Sequence, residues 1–270
     1  MSFADQLRNA RALSAPEQAA AARELIAQSP VLKDVLRPPI ERRIEAYTTV
    51  DDEVRHMLRN ARLCAFRPEP VLITGPSGTG KELIARIMLG ARMDDAFKPV
   101  NCAGIVETLF ESAIFGHKAG AFTGANVDRP GLLVSAGTGV AFFDEIGELP
   151  MTQQAKLLRA LQEQRVLPVG GTVEVPIRCR FVFATNRNLI REVDEGRFRE
   201  DLYYRISALT LQTTAIRERP HDAAPIMYEF CKKNDYTPPE PAIPDSVIQS
   251  RGNVRAIQNW VIAHNVLEQK

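Results

Sequence analysis

The chain has 270 residues, enough for one large domain or two ordinary domains with a buried core. Its 34 Lys and Arg against 33 Asp and Glu leave a formal net charge of +1, which argues against a molecule-wide field for holding nucleic acid or anionic membrane. A hydrophobic fraction of 45% and a charged fraction of 25% exclude a disordered or collagen-like chain.

The sequence predicts no membrane span and no secretory signal. Its longest uncharged stretch, residues 130–143, is short and interrupted by glycine. The N-terminus has neither a basic start nor an apolar core, so we expect a cytoplasmic protein. The cysteines lie far apart and fit no zinc or redox spacing, which favours reduced thiols packed in the core. They are Cys64, Cys102, Cys179 and Cys231.

Residues 1–45 predict a leader of short helices. Residues 14–17 read Ser-Ala-Pro-Glu, a capping box with proline early in the first turn. We expect Pro38 and Pro39 to end the last of these helices, because proline interrupts helical hydrogen bonding. No residue of the leader carries evident chemistry, so we expect it to be a packing or oligomer-facing appendage.

From residue 71 onward the pattern alternates between strands and helices. Apolar runs at residues 71–74, 140–143 and 180–184 predict buried strands, and residues 151–164 carry leucines on one helical face. This alternation indicates a parallel sheet with helices on both sides. Residues 221–234 and 253–268 then predict two helices. We therefore expect an α/β core over residues 46–212 and a small, all-helical domain over residues 213–270.

The segment after the first strand matches the first seven positions of the phosphate-binding loop. Its glycines let backbone N–H groups turn toward phosphates, and the following helix N-terminus adds partial positive charge. Lys81 would reach the β- and γ-phosphates, but Glu82 replaces the usual Ser or Thr. An ordinary Gly-rich turn is the alternative. The segment comprises Gly75, Pro76, Ser77, Gly78, Thr79, Gly80 and Lys81.

Asp144 and Glu145 follow the second predicted strand. At the carboxyl end of a parallel strand one acid can hold Mg²⁺ and the next can polarise water. We assign Asp144 to the metal and Glu145 to the water, although acids after a strand also cap helices. Thr185 and Asn186 end the third strand, where they could sense the γ-phosphate or merely form a turn.

Arg199 and Arg205 lie six positions apart, on rather different helix faces. Either is a solvated surface residue or an arginine finger that stabilises charge on a neighbouring subunit's ATP.

A six-residue segment has glycines on both sides of a tip with one aromatic and one hydroxyl side chain. Such a tip can move on its hinges and present Phe122 as a contact. The segment is Gly120, Ala121, Phe122, Thr123, Gly124 and Ala125.

Together with residues 143–150 and 197–205, these segments resemble the central ATPase domain of bacterial enhancer-binding proteins, the AAA+ activators of sigma-54 RNA polymerase. The resemblance covers roughly residues 48–268, and the GAFTGA hexapeptide is close to diagnostic. In that family a glutamate follows the loop lysine, so Glu82 fits the pattern. The resemblance implies an AAA+ P-loop NTPase fold with a helical lid, which assembles into rings, usually hexamers. These rings hydrolyse ATP with Mg²⁺ at subunit interfaces and drive the hexapeptide loop against sigma-54.

The resemblance also implies roles for single residues. Lys81 binds phosphate, Asp144 and Glu145 form the Walker B pair, and Asn101 restrains Glu145 until sigma-54 engages. Thr185 and Asn186 match the first sensor.

Other residues match the groups that act between molecules and in the lid. Arg199 and Arg205 match the trans-acting arginines, and Phe122 and Thr123 would contact sigma-54. Residues 165–175 resemble a second, hairpin-like loop that moves with the first, and Arg255 matches the second sensor of the lid.

The lid sequence departs from the family pattern. Ser250 and Arg251 replace the usual Trp-Pro, and residues 214–216 replace Pro-Pro-Leu. We also expect the chain to lack receiver and helix-turn-helix domains and to bind no DNA by itself. These features motivate an alternative, a noncatalytic regulator that binds sigma-54 or joins mixed rings. A remodeller of another client is a third reading.

Overall fold

The computed structural model describes residues 39–90, 96–104, 107–240 and 242–267. Most of the predicted leader, residues 1–38, therefore lies outside the described residues. Helix α1 (Pro39–Glu45) begins at Pro39, where the sequence predicts a helix to end. The helix predicted before it lies outside the described residues, so its end at Pro38 and Pro39 stays a prediction. Proline fits the first position of α1, where its missing N–H removes no hydrogen bond. Ile40 of α1 packs into the main core.

The described strands and helices follow one another in the order that the alternating pattern predicts. The strands are β1 (Val71–Thr74), β2 (Phe97–Asn101), β3 (Gly116–His117), β4 (Arg129–Pro130), β5 (Val140–Asp144), β6 (Arg165–Val166), β7 (Val175–Pro176), β8 (Arg180–Thr185) and β9 (Leu209–Gln212). The helices after α1 are α2 (Asp52–Cys64), α3 (Lys81–Ile87), α4 (Glu107–Phe115), α5 (Leu132–Ser135), α6 (Met151–Glu163), α7 (Leu189–Asp194), α8 (Glu200–Ile206), α9 (Ala223–Asn234), α10 (Asp245–Ile248) and α11 (Val254–Leu267).

Five parallel strands form the central sheet in the order β2-β5-β8-β1-β9. The sequence identified the three inner strands but named neither β2 nor β9. Both are edge strands with only partly buried side chains, so their apolar pattern is weak. Pro99 lies within β2, and a sheet edge is where proline is tolerated in a strand.

Helices cover both faces of the sheet, as predicted. Phe143 and Phe183 stack with ring centroids 5.4 Å apart on the face that packs against α4 and α6. Phe142 and Val182 point to the opposite face, which packs against α2 and α3. Successive strand residues thus enter two separate cores, and the inner strands are buried on both sides. The fold is the α/β fold of P-loop NTPases.

A third apolar cluster lies in the helical domain that follows β9. It joins α9, α10 and α11 with the 3-10 turn Ile216–Glu218. Helices α9 and α11 correspond to the two predicted helices, but residues 220–222 form a separate 3-10 turn before α9. In the described part of the chain, no helix combines the length and apolarity needed to cross a bilayer.

Candidate functional site

A cleft of about 340 Å³ lies at the carboxyl ends of β1 and β5. Because parallel strands end at the same edge of a sheet, the loop after β1 faces the acids after β5. Lys81, Asp144 and Glu145 all line this cleft, and Arg255 enters it from the first turn of α11. The structure therefore brings together residues that are far apart in the sequence and that we predicted separately.

The loop after β1 needs glycine for both its dihedrals and its close contacts. Gly78 and Gly80 have φ values of 74° and 92°, in the left-handed region that favours glycine. A Cβ at Gly75 would lie 2.1 Å from Oγ1 of Thr213, and one at Gly78 would lie 2.4 Å from the carbonyl of Gly252. The segment after β9 and the helical domain formed by α9, α10 and α11, called the lid below, thus both touch the loop.

Lys81 is buried at the start of α3, with only 7% of its surface exposed. Its Nζ donates to the carbonyl oxygens of Gly75 and Pro76 at 3.0 and 3.1 Å. Burial lowers the pKa of Lys81, whereas Glu145 and Asp144 act in the opposite direction. A desolvated cation beside backbone N–H groups at a helix N-terminus suits a polyphosphate.

Asp144 ends β5, and Glu145 adopts a left-handed conformation with a φ of 52°. The backbone N–H of Glu145 donates to Asp144 Oδ1 at 3.0 Å, and Glu145 Oε2 accepts from the backbone N–H of Asn186 at 3.2 Å. Glu145 precedes a 3-10 turn but makes no side-chain cap to it, so its carboxylate does not act as the helix cap considered from the sequence.

The donor chemistry of the cleft fits Mg²⁺. Carboxylate oxygens are hard ligands, and Mg²⁺ is typically held by one or two of them together with phosphate oxygens and water. Among the described residues, no group of three or more His, Cys, Asp or Glu could form an all-protein metal site. Asp144 is therefore the residue that would hold Mg²⁺ here, with a bound phosphate supplying further ligands.

Thr185 and Asn186 lie between the loop and the acids. The carbonyl of Thr185, a fully buried residue, accepts from Gly75 N at 3.2 Å. Asn101 on β2 is in register with Asp144 on β5, and its Oδ1 accepts from Ala103 N at 3.0 Å. In the part of the chain that the structure describes, no hydrogen bond joins Asn101 to Glu145, so the restraining role of Asn101 stays a prediction.

Of the two predicted trans-acting arginines, Arg205 is exposed and Arg199 is partly exposed, and, unlike Arg255, neither lines the cleft of its own chain. Arg199 precedes α8, and its guanidinium pairs with Asp201 at 2.7 Å. Arg205 donates to the carbonyl of Leu161 at 3.3 Å. Arg255 Nη1 lies 3.4 Å from Ser77 Oγ.

Glu82 lines the cleft and forms an i,i+4 ion pair with Arg86 at 2.8 Å.

The GAFTGA loop, residues 120–125, is a compact turn between β3 and β4. Gly120 N donates to the carbonyl of Ala125 at 2.8 Å, which closes the turn. Phe122 is 42% exposed, and its ring lies 5.1 Å from the ring of the buried His117. Phe122 and Thr123 are therefore accessible at the tip, as the sequence predicts.

The predicted second loop is the hairpin formed by β6 and β7. It is joined to the base of the GAFTGA loop, because Val169 N donates to the carbonyl of Gly116 at 2.9 Å and the carbonyl of Val169 accepts from Lys118 N at 3.0 Å. A Cβ at Gly170 would lie 2.7 Å from Cβ of Ala121. The tips of the two loops are thus in direct contact.

A second cavity of about 270 Å³ adjoins the cleft and shares Gly80 and Val254 with it. Two of the residues that line it, Tyr47 and Arg219, were not predicted as site residues. Tyr47 donates from its hydroxyl to the carbonyl of Thr79 at 2.6 Å, and Arg219 donates to that hydroxyl at 3.2 Å. Tyr47 is a single residue that the fold brings to the loop, so the sequence offers no signal for it, whereas Arg219 lies in the Arg-Glu-Arg segment that follows the altered residues 214–216. The other missed residues that touch the loop or support this cavity are Thr213, Asp222 and Asn253.

Comparison with known proteins agrees with this geometry. Residues 47–212 match the sigma-54 interaction domain, which is more than half of the chain. The chain is 39% identical over 242 residues to the sigma-54-dependent transcriptional activator SfnR of Pseudomonas putida, covering 85% of this chain and 66% of that protein. It is 50% identical over 155 residues to the response regulator protein PilR of Pseudomonas aeruginosa, covering 57% and 35%. The chain thus spans only part of the length of these relatives.

Solved structures show the same fold. The crystal structure of NtrX from Brucella abortus in complex with ATP matches with a TM-score of 0.72 and 27% identity, covering 92% of this chain and 60% of that one. The S. cerevisiae Hsp104:casein complex matches with a TM-score of 0.61 and 19% identity over 92% of this chain and 50% of that one, a likeness of fold alone. The chain belongs to the sigma-54 interaction domain family, the AAA+ ATP-binding domain of sigma-54-dependent transcriptional activators.

Proposed function

We propose that this chain is an ATP-hydrolysing activator that remodels closed complexes of sigma-54 RNA polymerase through its GAFTGA loop. The observation that carries this proposal is the assembly of Lys81, Asp144, Glu145 and Arg255 around one cleft. Lysine and backbone N–H groups bind phosphates, the acids serve metal and water, and the lid arginine closes the site. This set of groups supports phosphoryl transfer from ATP to water as the reaction.

Each of the two adjoining cavities would hold a different part of the nucleotide. The triphosphate would lie in the cleft beside Lys81, and the base would lie in the cavity beside Tyr47, whose lining is mainly apolar. Asp144 would hold Mg²⁺, which neutralises charge on the β- and γ-phosphates. Glu145 would accept the proton of the attacking water, and Thr185 and Asn186 would report the state of the γ-phosphate to Glu145.

Arg199 and Arg205 supply the missing transition-state charge in a neighbouring subunit. The Arg205 side chain is exposed, the Arg199 side chain is partly exposed, and both lie outside the cleft of their own chain. An arginine finger supplied in trans stabilises the charge of the transferring phosphoryl group. The active form would therefore be a ring of this chain, such as a hexamer, in the cytoplasm.

The two contacting loops would carry the power stroke to sigma-54. Phe122 and Thr123 form the accessible tip, and the β6–β7 hairpin braces it through Val169 and Gly170. Movement of the hairpin on nucleotide turnover would displace the tip against its client. The protein is therefore proposed to act on sigma-54 directly.

The altered lid sequence is what favours the noncatalytic alternative. Against it, Asn253 and Val254 of the lid both donate to the phosphate loop, at Ser77 and Gly78. A lid bonded to the loop in this way supports nucleotide binding despite the departures at Ser250 and Arg251. We therefore favour the catalytic function.

The ATPase rate per subunit against protein concentration tests the proposal. Wild-type protein should show a rate per subunit that rises with concentration, because trans-acting arginines require assembly. Glu145→Ala should bind ATP without turning it over, and Arg199→Ala should do the same at every concentration.

Arg191→Ala is the matched control, since Arg191 forms a similar exposed pair with Glu195. It should behave as wild type. Absence of turnover by the wild-type protein at every concentration would favour the noncatalytic alternative.

A further inference from the structure

Gln154, near the start of α6, is a fully buried side chain whose polar atoms are all engaged. Its Nε2 donates to the carbonyls of Leu149 and Arg197 at 2.7 and 2.9 Å. Its Oε1 accepts from the backbone N–H of Arg199 at 2.8 Å. A buried carboxamide is tolerated only with such partners, and its loss would leave three backbone groups unpaired.

These bonds join two segments that the proposed function uses at different active sites. Leu149 closes the 3-10 turn that begins after Glu145, with Glu148 N donating to Glu145 O at 2.9 Å and Leu149 N to Ile146 O at 3.1 Å. Arg199 carries the guanidinium that would serve the neighbouring subunit. Gln154 therefore connects the exit of the chain's own Walker B segment to the arginine it presents to the next ATP.

Ion pairs also surround this connection, but they are more exposed. Arg197 pairs with Glu192 at 2.7 Å, and the Arg197 guanidinium holds the pKa of Glu192 at about 2. The Arg197 side chain is half exposed to solvent. Exposed pairs of this kind contribute little fixed geometry, whereas a buried carboxamide with three bonds allows one arrangement. Gln154 is the buried link.

We infer that Gln154 is a positioning residue that fixes Arg199 relative to Leu149, and thereby couples the nucleotide site of one subunit to catalysis in the next. The inference rests on the proposed function, specifically on Arg199 acting in trans. Replacing Gln154 should therefore slow ATP hydrolysis at the site of the neighbouring subunit, while the ATP site of the same chain stays functional.

Mixed rings separate these two effects. Gln154→Leu keeps the approximate size of the side chain and removes its hydrogen bonds. Alone, this variant should bind ATP as wild type does and hydrolyse it about 100-fold more slowly, because a small misplacement of a catalytic group has an effect of that order. Lys81→Ala alone should also be inactive, because it binds no ATP, but its arginines are intact.

Mixing the two inactive variants should restore turnover several-fold above the sum of their separate rates. The ATP of a Gln154→Leu subunit then meets the correctly placed Arg199 of a Lys81→Ala neighbour. The reference mixture is Arg199→Ala with Lys81→Ala. If that reference mixture does not restore ATP turnover, Arg199 does not act in trans, and the proposed function is contradicted as well.

If the reference mixture recovers and the Gln154→Leu mixture does not, the inference about Gln154 is wrong. Full activity of Gln154→Leu alone would overturn it as well. Gln154→Glu guards against a folding failure, because it keeps the acceptor for Arg199 N and loses only the donors. It should show a smaller defect that the same mixing relieves, and no relief would again contradict the inference.

Gln153→Leu is the matched control. Gln153 is its neighbour on α6, is 3% exposed, and has a buried Oε1 without a hydrogen-bond partner among the described residues. This variant should keep wild-type turnover. A defect equal to that of Gln154→Leu would assign the effect to packing of α6 and contradict the inference.

Discussion

Asn253 holds the lid against the phosphate loop by donating from Nδ2 to the carbonyl of Ser77, 2.9 Å away. Its Oδ1 accepts from Ile216 N at 2.9 Å, and the next residue, Val254, donates to Gly78 O at 3.1 Å. One buried carboxamide thus joins the loop, the connection from β9 and the first turn of α11. Rotation of the lid should therefore shift the phosphate loop directly.

Asn253→Ala should weaken nucleotide binding and lower the free energy of unfolding by about 1–3 kcal/mol, because buried partners lose their bonds. The φ of 52° at this position adds strain for alanine. Urea unfolding and ATP titration measure the two effects.

Asn265→Ala is the control, since Asn265 makes equivalent buried bonds to Thr237 and Val261 inside the lid. It should be destabilised but keep its ATP affinity. Equal affinities for both variants would show that Asn253 does not link lid and loop.

Gly170→Ala should uncouple the two loops. Its new Cβ would lie 2.7 Å from Ala121 Cβ, so the hairpin or the GAFTGA tip must shift. We expect ATPase activity to remain and affinity for sigma-54, measured by fluorescence anisotropy, to fall. Gly137→Ala also has a positive φ, but its Cβ would meet no atom within 4 Å. Both variants should lose stability, and a loss of sigma-54 affinity in both would contradict the role of the contact.

Asp222→Asn should remove a contribution to the unfolding free energy that wild type has at neutral pH and loses in acid. Burial favours the neutral form of Asp222, but hydrogen bonds from Thr49, Val50 and Arg219 outweigh it and hold its pKa below the ordinary 3.8. A lowered pKa stabilises the fold above pH 3.8, and this contribution is lost as the pH falls through the folded-state pKa.

At pH 7 the variant should lose about 3–5 kcal/mol, because Arg219 keeps a buried charge without its partner. The gap between wild type and variant should narrow as the pH is lowered below 3.8. Unfolding free energies of both proteins, measured from pH 7 to below pH 3.8, test this prediction. A difference between them that stays constant with pH would contradict the proposed link to the ionisation of Asp222.

Cys179 should make the protein sensitive to alkali. Burial raises the pKa of this thiol from 9.0 to about 12. Above pH 9.0 the unfolded chain loses a proton that the native chain keeps, so stability falls as the pH rises, until the native thiol also ionises near pH 12. The slope is about 1.4 kcal/mol per pH unit. The unfolding free energy of Cys179→Ala should lack this fall between pH 9.0 and about 12. If the unfolding free energies of wild type and Cys179→Ala fall in parallel as the pH rises, the role of Cys179 is contradicted.

Local patterns predicted the parts of the site that lie within single segments. The glycines around Lys81, the acids after β5 and the GAFTGA hexapeptide each owe their geometry to neighbouring residues. The inner strands are buried on both faces and therefore read as apolar runs. Their carboxyl ends define the cleft.

Contacts between distant segments could not be predicted in the same way. Tyr47 and Asn253 meet the phosphate loop across 32 and 176 positions of sequence. No local pattern assigns either residue a role, although Asn253 lies two positions before Arg255, so only the folded chain shows these contacts. Gln154 likewise reads as an ordinary helical residue until its three partners are seen. Pro39, at which the sequence predicts a helix to end, is also the first residue of α1, a position that proline favours.

Open-complex formation by wild type and Thr123→Ala tests the central claim most directly. With sigma-54 RNA polymerase, promoter DNA and ATP, melting would be followed by permanganate footprinting alongside ATPase activity. Thr210→Ala, an exposed threonine on β9, is the control and should melt DNA normally. Thr123→Ala should hydrolyse ATP but melt no DNA. Normal melting by Thr123→Ala, or no melting by the wild type, would contradict it.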